Sequence, residues 1–356
     1  MSEAAQTLRL SVLDIGPIRS GQSSAQAFSA MLALAQCAEQ LGYYRYWLAE
    51  HHNVPASVAS VMPVFAQVVA GRTQTIRVGG NVLLPHYPPF LVAESAAIME
   101  ACFPRRIDLA LGGAAGADHI TSAVLRGMRQ GENYIRAVQE LAAMLNPAGV
   151  RLKQQQDGLS YLLKATPHAV AAPDLWIWGT GRDQAVIAGQ MGLPFMYCYH
   201  IMGRTDMDAV RVYRESFVPT LHLSEPQALA SAVVVVGRDS GEAEAMARPH
   251  LRVMVAFRDG SLEQAQPLVG QESSLPPMTK KGQMVEAMFR ESWIIGAPDS
   301  AAAQVRALAA ELGVNEIMIN PVAAARENDP SNRAPNREFT LTALRDALLV
   351  QSGPST

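Results

Sequence analysis

The chain has 356 residues, 49% of them hydrophobic and 17% charged, a composition that excludes intrinsic disorder. Its formal net charge of −3 provides no basic field for a phosphate backbone, so nucleic acid is not an expected partner. No run approaches the roughly 18 uninterrupted apolar residues of a membrane span, and the start MSEAAQTLRLSVLD has no apolar signal-peptide core. A cytoplasmic protein is expected.

Short apolar runs alternate with longer helical stretches. The first strand, Leu8–Leu13, precedes a helix over Ser24–Leu41 that Gly42 stops. Tyr46–Ala49 reads as a strand, Ser57–Ala70 as a helix, and Ile76–Leu84 as a strand closed by Pro85. A helix over Pro89–Ala101 leads to the strand Ile107–Leu111, then to helices near Ile120–Met128 and Glu132–Leu145. The second half repeats the scheme with strands at Leu175–Trp178, Phe195–Tyr199, Ala232–Val236 and Glu316–Ile319. Its helices are Asp183–Met191, Asp206–Phe217, Gly241–Phe257, Ala301–Leu312 and Thr340–Val350.

Length alone suggests about two domains at roughly 150 residues each. The count of eight strand–helix units points instead to one domain over 1–356, a parallel α/β fold closing as a (β/α)8 TIM barrel. An open doubly wound sheet is the competitor. Two segments exceed the bare barrel: about 149–173, with room for a short hairpin, and the polar stretch 258–295, which reads as a lid. A polar tail begins near 351. Cys37, Cys102 and Cys198 are far apart and flanked by apolar residues, so buried free thiols are expected.

In a barrel the reacting groups sit at the C-terminal ends of strands. Four of the eight histidines fall there: His51 and His52 after the second strand, His86 after the third, His200 after the sixth. Asp14 follows the first strand and Glu50 precedes the histidine pair. Asp14, His86, Tyr199 and His200 are therefore expected to line a substrate pocket.

The segment Tyr43-Tyr44-Arg45-Tyr46-Trp47-Leu48-Ala49-Glu50-His51-His52-Asn53 resembles the signature of the bacterial luciferase-like flavin-dependent monooxygenases. The resemblance continues through Ser11-Val12-Leu13-Asp14, Ile76-Arg77-Val78-Gly79, Val92-Ala93-Glu94, Arg106-Ile107-Asp108-Leu109, Leu193-Pro194-Phe195 and Gly313-Val314-Asn315-Glu316-Ile317-Met318, covering most of residues 8–320. It implies reduced FMN, usually delivered by a separate reductase, and dioxygen reacting to a flavin C4a-hydroperoxide that oxygenates a small organic substrate. It also implies a homodimer formed through the apolar Ser57–Ala70 region.

By the same resemblance the catalytic histidine is His51, while His52 is as readily a hydrogen-bonding neighbour. Glu50 either orients an imidazole or pairs with a cation such as Arg45. The isoalloxazine ring is expected against Gly80-Asn81, where relatives often have a non-proline cis peptide. Relatives grip the FMN phosphate with an arginine after the fourth strand, and here Gly113 stands in its place. The other half of that site reads Gly179-Thr180-Gly181-Arg182, and Arg182 is the candidate replacement cation. Alternatives are a barrel with altered or lost flavin use, a deazaflavin in place of FMN, and a hydrolase with a metal on His51 or His52, His86 and His200. No metal is expected in the leading reading.

Overall fold

The computed structural model describes residues 8–114, 116–126, 133–146, 148–153, 160–168, 171–259 and 265–350. Strands buried on both faces read as near-continuous apolar runs, and eight of them close into a parallel barrel. They are β1 (Arg9–Asp14), β2 (Arg45–Leu48), β3 (Arg77–Leu83), β4 (Ile107–Gly112), β7 (Asp174–Gly179), β8 (Phe195–Tyr197), β9 (Ala228–Val236) and β11 (Glu316–Pro321). The hydrogen-bonded order is β1-β2-β3-β4-β7-β8-β9-β11, and β11 pairs back onto β1 with Val12 beside Ile319. The barrel is closed, and the open-sheet competitor falls.

The outer layer follows from helix chemistry. Helix α1 (Ser24–Gln40) begins with a capping box between Ser23 and Gln26, and the chain leaves it through Gly42 at φ +77°. After it come α2 (Met62–Ala70), α3 (Pro89–Cys102), α4 (His119–Arg126) and α5 (Tyr134–Leu145). The excursion after β4 carries the expected hairpin, β5 (Val150–Lys153) against β6 (Ser160–Leu163). Then come α6 (Arg182–Gln190), the single turn α7 (Tyr199–Met202), α8 (Ala209–Ser216) and α9 (Ser240–Asp259). The chain finishes with α10 (Lys280–Ser292), β10 (Ile294–Gly296), α11 (Pro298–Leu312) and α12 (Pro335–Val350). No helix of the described residues is long and apolar enough to cross a membrane.

Strand alternation sorts the core into two sets. Val12, Tyr46, Leu48, Val78, Leu109, Leu111, Ile177, Ile317 and Ile319 pack outward against the helices. Leu13, Trp47, Ala49, Ala110, Trp176, Trp178, Met196, Cys198, Leu229 and Met318 fill the barrel interior. The N-terminal mouth is plugged by charge: Arg45 binds Asp108 at 3.1 Å and Glu316, Arg77 binds Asp108 at 2.7 Å, and Ser11 Oγ donates to Glu316. With buried ions so paired, losing one partner costs about 3–5 kcal/mol. Only the C-terminal mouth is left for a site.

Three expectations need correction, and a fourth falls outside the described residues. The second helix begins at Met62, not Ser57, because Ser57 Oγ is committed to the Ile15 carbonyl at 2.6 Å and Pro63 sits in the first turn. The stretch 258–295 contains α10 and β10, which pairs in parallel with the later half of β9; residues 260–264 lie outside the described set. Cys102 is exposed and Cys37 half-buried at helix positions that do not face the core, so only Cys198 is a buried thiol. The tail from 351 lies outside the described residues.

Candidate active site

Residue parity along the second strand decides which groups enter the barrel. Trp47 and Ala49 face the interior, and His51 continues that set past the strand end. Its backbone N–H is held by the Ala59 carbonyl at 2.8 Å, and its Nδ1 is buried with no partner. Burial, with a smaller effect from neighbouring His52, pulls its imidazole down to about 4. At neutral pH His51 is therefore an uncharged base.

Glu50 and His52 belong to the other side. The Glu50 carboxylate lies 2.5 Å from His52 Nε2, accepts the Leu83 N–H at 3.3 Å, and accepts the Tyr87 hydroxyl. Burial and that carboxylate raise the Tyr87 phenol well above its ordinary range. His52 in turn meets His86 edge to face at 5.9 Å. Glu50 thus orients an imidazole; the alternative pairing with Arg45 is corrected, since Arg45 lies in the plug at the opposite mouth. His86 is buried in this cluster with His52.

His200 approaches from the far wall. It sits on the turn α7, and its Nδ1 is hydrogen-bonded to Ser231 Oγ of β9. Its ring stands edge to face with Trp178 at 6.1 Å. Burial, with His51 adding to it, pushes this imidazole down to about 3. The mouth therefore holds two neutral imidazoles within electrostatic reach of each other.

Two amides complete the site. Asn81 on β3 and Asn320 on β11 are buried, and the Oδ1 of each has no partner. A Cβ at position 112 would collide with the Asn81 amide, so Gly112 is what lets that side chain occupy the mouth. An unmatched buried acceptor costs about 1–3 kcal/mol, so these atoms await a donor such as a ring N–H. Sequence reasoning missed Asn320 and Ser231. The parity of Glu316-x-Met318-x-Asn320 could have revealed the first, since Glu316 and Met318 already point inward.

Several expected site residues lie elsewhere. Asp14 faces the helix layer, accepting from the Gly16 N–H at 2.9 Å, the Tyr46 hydroxyl at 2.5 Å and Arg337 at 2.6 Å, so it is a structural anchor and not a pocket residue. Tyr199 packs with the outward core, and Arg204 is its charged neighbour. Gly80 also faces outward, where a Cβ would run into Met62 of α2, so it does not face the mouth as Asn81 does. The sole cis peptide of the described residues is Thr166-Pro167, so the Gly80-Asn81 bond is trans.

The anion half of the expected cofactor site fits poorly. Gly113 is exposed beyond β4, beside the Tyr134 ring. Gly179 packs outward on Phe195 and Gln184, Thr180 is half-buried, and Gly181 is buried under a carboxylate, that of Asp206. The exposed Arg182 guanidinium is paired with Asp208 at 2.5 Å and lies 4.0 Å from Asp206. The mouth fits a polar ring; the α6 end does not present a free cation. Among the described residues, no group of three His, Cys, Asp or Glu side chains is placed to hold a metal ion.

Known proteins share this sequence pattern and this fold. The sequence model of the family described as luciferase-like monooxygenase matches residues 8–316. A luciferase-like monooxygenase of Escherichia coli (strain K12) is 29% identical over 318 residues, 88% of this chain and 92% of that protein. The crystal structure of apo-MsnO8 superposes with a TM-score of 0.83 at 26% identity, covering 98% of this chain and 99% of that one. The oxygenating constituent of 3,6-diketocamphane monooxygenase from Pseudomonas putida, in complex with FMN, shares the fold at 14% identity with a TM-score of 0.70, covering 96% of this chain and 98% of that one.

Proposed function

The chain belongs to the luciferase-like monooxygenase family, and from that premise we propose that it is a flavin-dependent oxygenase working at the C-terminal mouth of its barrel. The observation that carries the reading is His51: a half-buried, neutral imidazole whose Nδ1 is buried and unpartnered, facing a mouth that also holds unmatched amide oxygens of Asn81 and Asn320. FMN is the form bound by the diketocamphane neighbour. When bound, a reduced flavin would supply the electrons that activate dioxygen, one atom entering the substrate and the other leaving as water.

The residues have distinct tasks in this reading. Asn81 and Asn320 would hold the polar edge of the ring through their unmatched amide oxygens. His51, uncharged near pH 7, takes or returns one proton at Nδ1 without bringing a charge into the site. Trp178, Met196 and Cys198 form the floor that excludes water. His200, fixed by Ser231, faces the substrate side. The Glu50–His52–Tyr87 cluster holds the strand ends that carry His51 and Asn81.

The reading includes a separate reductase as the source of reduced flavin and a homodimer. Support for the dimer is an exposed apolar face on α2 and α3, with Val64 62%, Leu91 52% and Ile98 42% accessible. The experiment for the activity is to bind flavin to the purified chain, reduce it without oxygen, and admit oxygen. Wild type is expected to bind flavin saturably and His51→Asn to bind it as well but lose oxygenation. A metal-bearing, flavin-indifferent protein would contradict the reading.

A further inference from the structure

We propose that the carboxylate of Asp206 closes the anion end of the cofactor site, so that the chain holds a flavin by its ring and gains no affinity from a terminal phosphate. The inference rests on the flavin reading above and concerns which flavin is taken.

A phosphate at the mouth of a parallel barrel seeks free backbone N–H groups at a helix start, with a cation beside them. The α6 start is the natural candidate, because Gly179-Thr180-Gly181 gives close backbone approach and no side chain caps it at Gly181. Yet a Cβ on Gly181 would stand 2.6 Å from Asp206 Oδ2. The carboxylate thus stands against the residue that opens α6, and its charge opposes a phosphate approaching that helix start. Asp206 holds it there from a left-handed backbone at φ +57°, a conformation that Asp and Asn tolerate better than most residues.

The local cations are committed too. Arg182 is bound by Asp208 through Nη2 at 2.5 Å and Nε at 3.1 Å, and Arg211 by Asp208 at 3.0 Å and Glu215 at 2.7 Å. Asp183 adds another carboxylate in the first turn of α6. A phosphate dianion entering here meets three carboxylates, those of Asp183, Asp206 and Asp208, and no uncommitted partner of Asp208.

Two other helix starts already hold a carboxylate, among the described residues. Asp118 accepts the Ile120 and Thr121 N–H groups at α4, and Asp239 accepts the Glu242 N–H at α9. Helices α2, α3 and α11 carry proline in the first turn, which removes a donor. Arg126, ending α4, keeps a buried Nε without a partner, and it defines the rival outcome: a phosphate held there would make FMN the preferred flavin.

The test compares oxidised riboflavin with FMN on the full chain, by quenching of flavin fluorescence at fixed ionic strength. The proposal expects FMN to bind no more than twofold tighter than riboflavin. It also expects Asp206→Asn to move the ratio at least fivefold toward FMN while riboflavin affinity stays within twofold. Asn keeps the left-handed backbone accessible, so the variant removes charge and not the fold. FMN bound more than twofold tighter by wild type overturns the proposal, as does a ratio unmoved in Asp206→Asn. If neither flavin binds, the flavin reading falls and this inference with it.

Discussion

Glu50 and His51 are neighbours in the chain and serve opposite sides of the barrel wall. The carboxylate of Glu50 is enclosed by His52, Tyr87 and the Leu83 N–H, while His51 looks into the mouth toward His200. The division assigns stability to one residue and chemistry to the other, and it separates what their variants should do.

Glu50→Gln keeps the shape but removes the charge that His52 and the Tyr87 hydroxyl share. Charge-assisted hydrogen bonds are worth about 1.5–3 kcal/mol, so a loss of about 1–3 kcal/mol is expected in urea unfolding. Tyr87→Phe should cost less, about 1 kcal/mol. A Glu50→Gln chain as stable as wild type would show that the cluster is idle.

Acid should weaken the fold through three histidines. His51, His200 and His250 are held neutral by burial, at about 4, 3 and 3 against an ordinary value near 6.5. Below about pH 6.5 the unfolded chain binds protons that the native chain refuses, so stability rises with pH from about 4 to 6.5 and then levels. Each histidine contributes up to about 1.4 kcal/mol per pH unit in that window. His250, packed against Trp293 at 5.6 Å and away from the mouth, gives a clean probe. His250→Phe should lower the slope between pH 5 and 6 by about one proton, and an unchanged slope would contradict the burial account.

Backbone approach between β3 and α2 can be tested by a cycle. A Cβ at Gly80 would collide with Met62, whose Sδ would lie 2.7 Å away. Gly80→Ala is expected to cost about 1–3 kcal/mol through overpacking. Combined with Met62→Ala, the total should fall short of the sum by more than about 1 kcal/mol, because the smaller side chain makes room. Additive costs in thermal or urea unfolding would place the strain elsewhere.

The proposed dimer makes Val64 an interface residue on α2. Val64→Glu should halve the mass measured by light scattering at micromolar protein while leaving the circular dichroism spectrum unchanged. A wild-type chain that is already a monomer would remove the dimer from the account.

Much of the fold and of the candidate site is legible in the sequence, and parity explains most of the rest. Eight apolar runs divided by helical stretches give eight parallel strands, whose closure is decided by β11 pairing with β1, and Trp47-x-Ala49-x-His51 carries His51 into the mouth. A one-residue change of parity sends a side chain to the opposite face. Position at a strand end suggests Asp14 for the mouth and the family resemblance suggests Gly80, yet both point outward, while Asn81 points in. Tyr199 departs for another reason: the strand ends at Tyr197 and a helical turn reorients the residues beyond it. Asp206 is not legible at all, because its place over Gly181 depends on how a loop 25 residues further along the chain folds back.

The most direct measurement mixes the anaerobic complex of the chain and reduced riboflavin with oxygenated buffer and tracks the visible spectrum. The account predicts that wild type returns to oxidised flavin through a distinct, persistent oxygenated species, and that His51→Asn binds the flavin equally well but loses that species at least tenfold faster. Identical single-phase reoxidation in both proteins would contradict it.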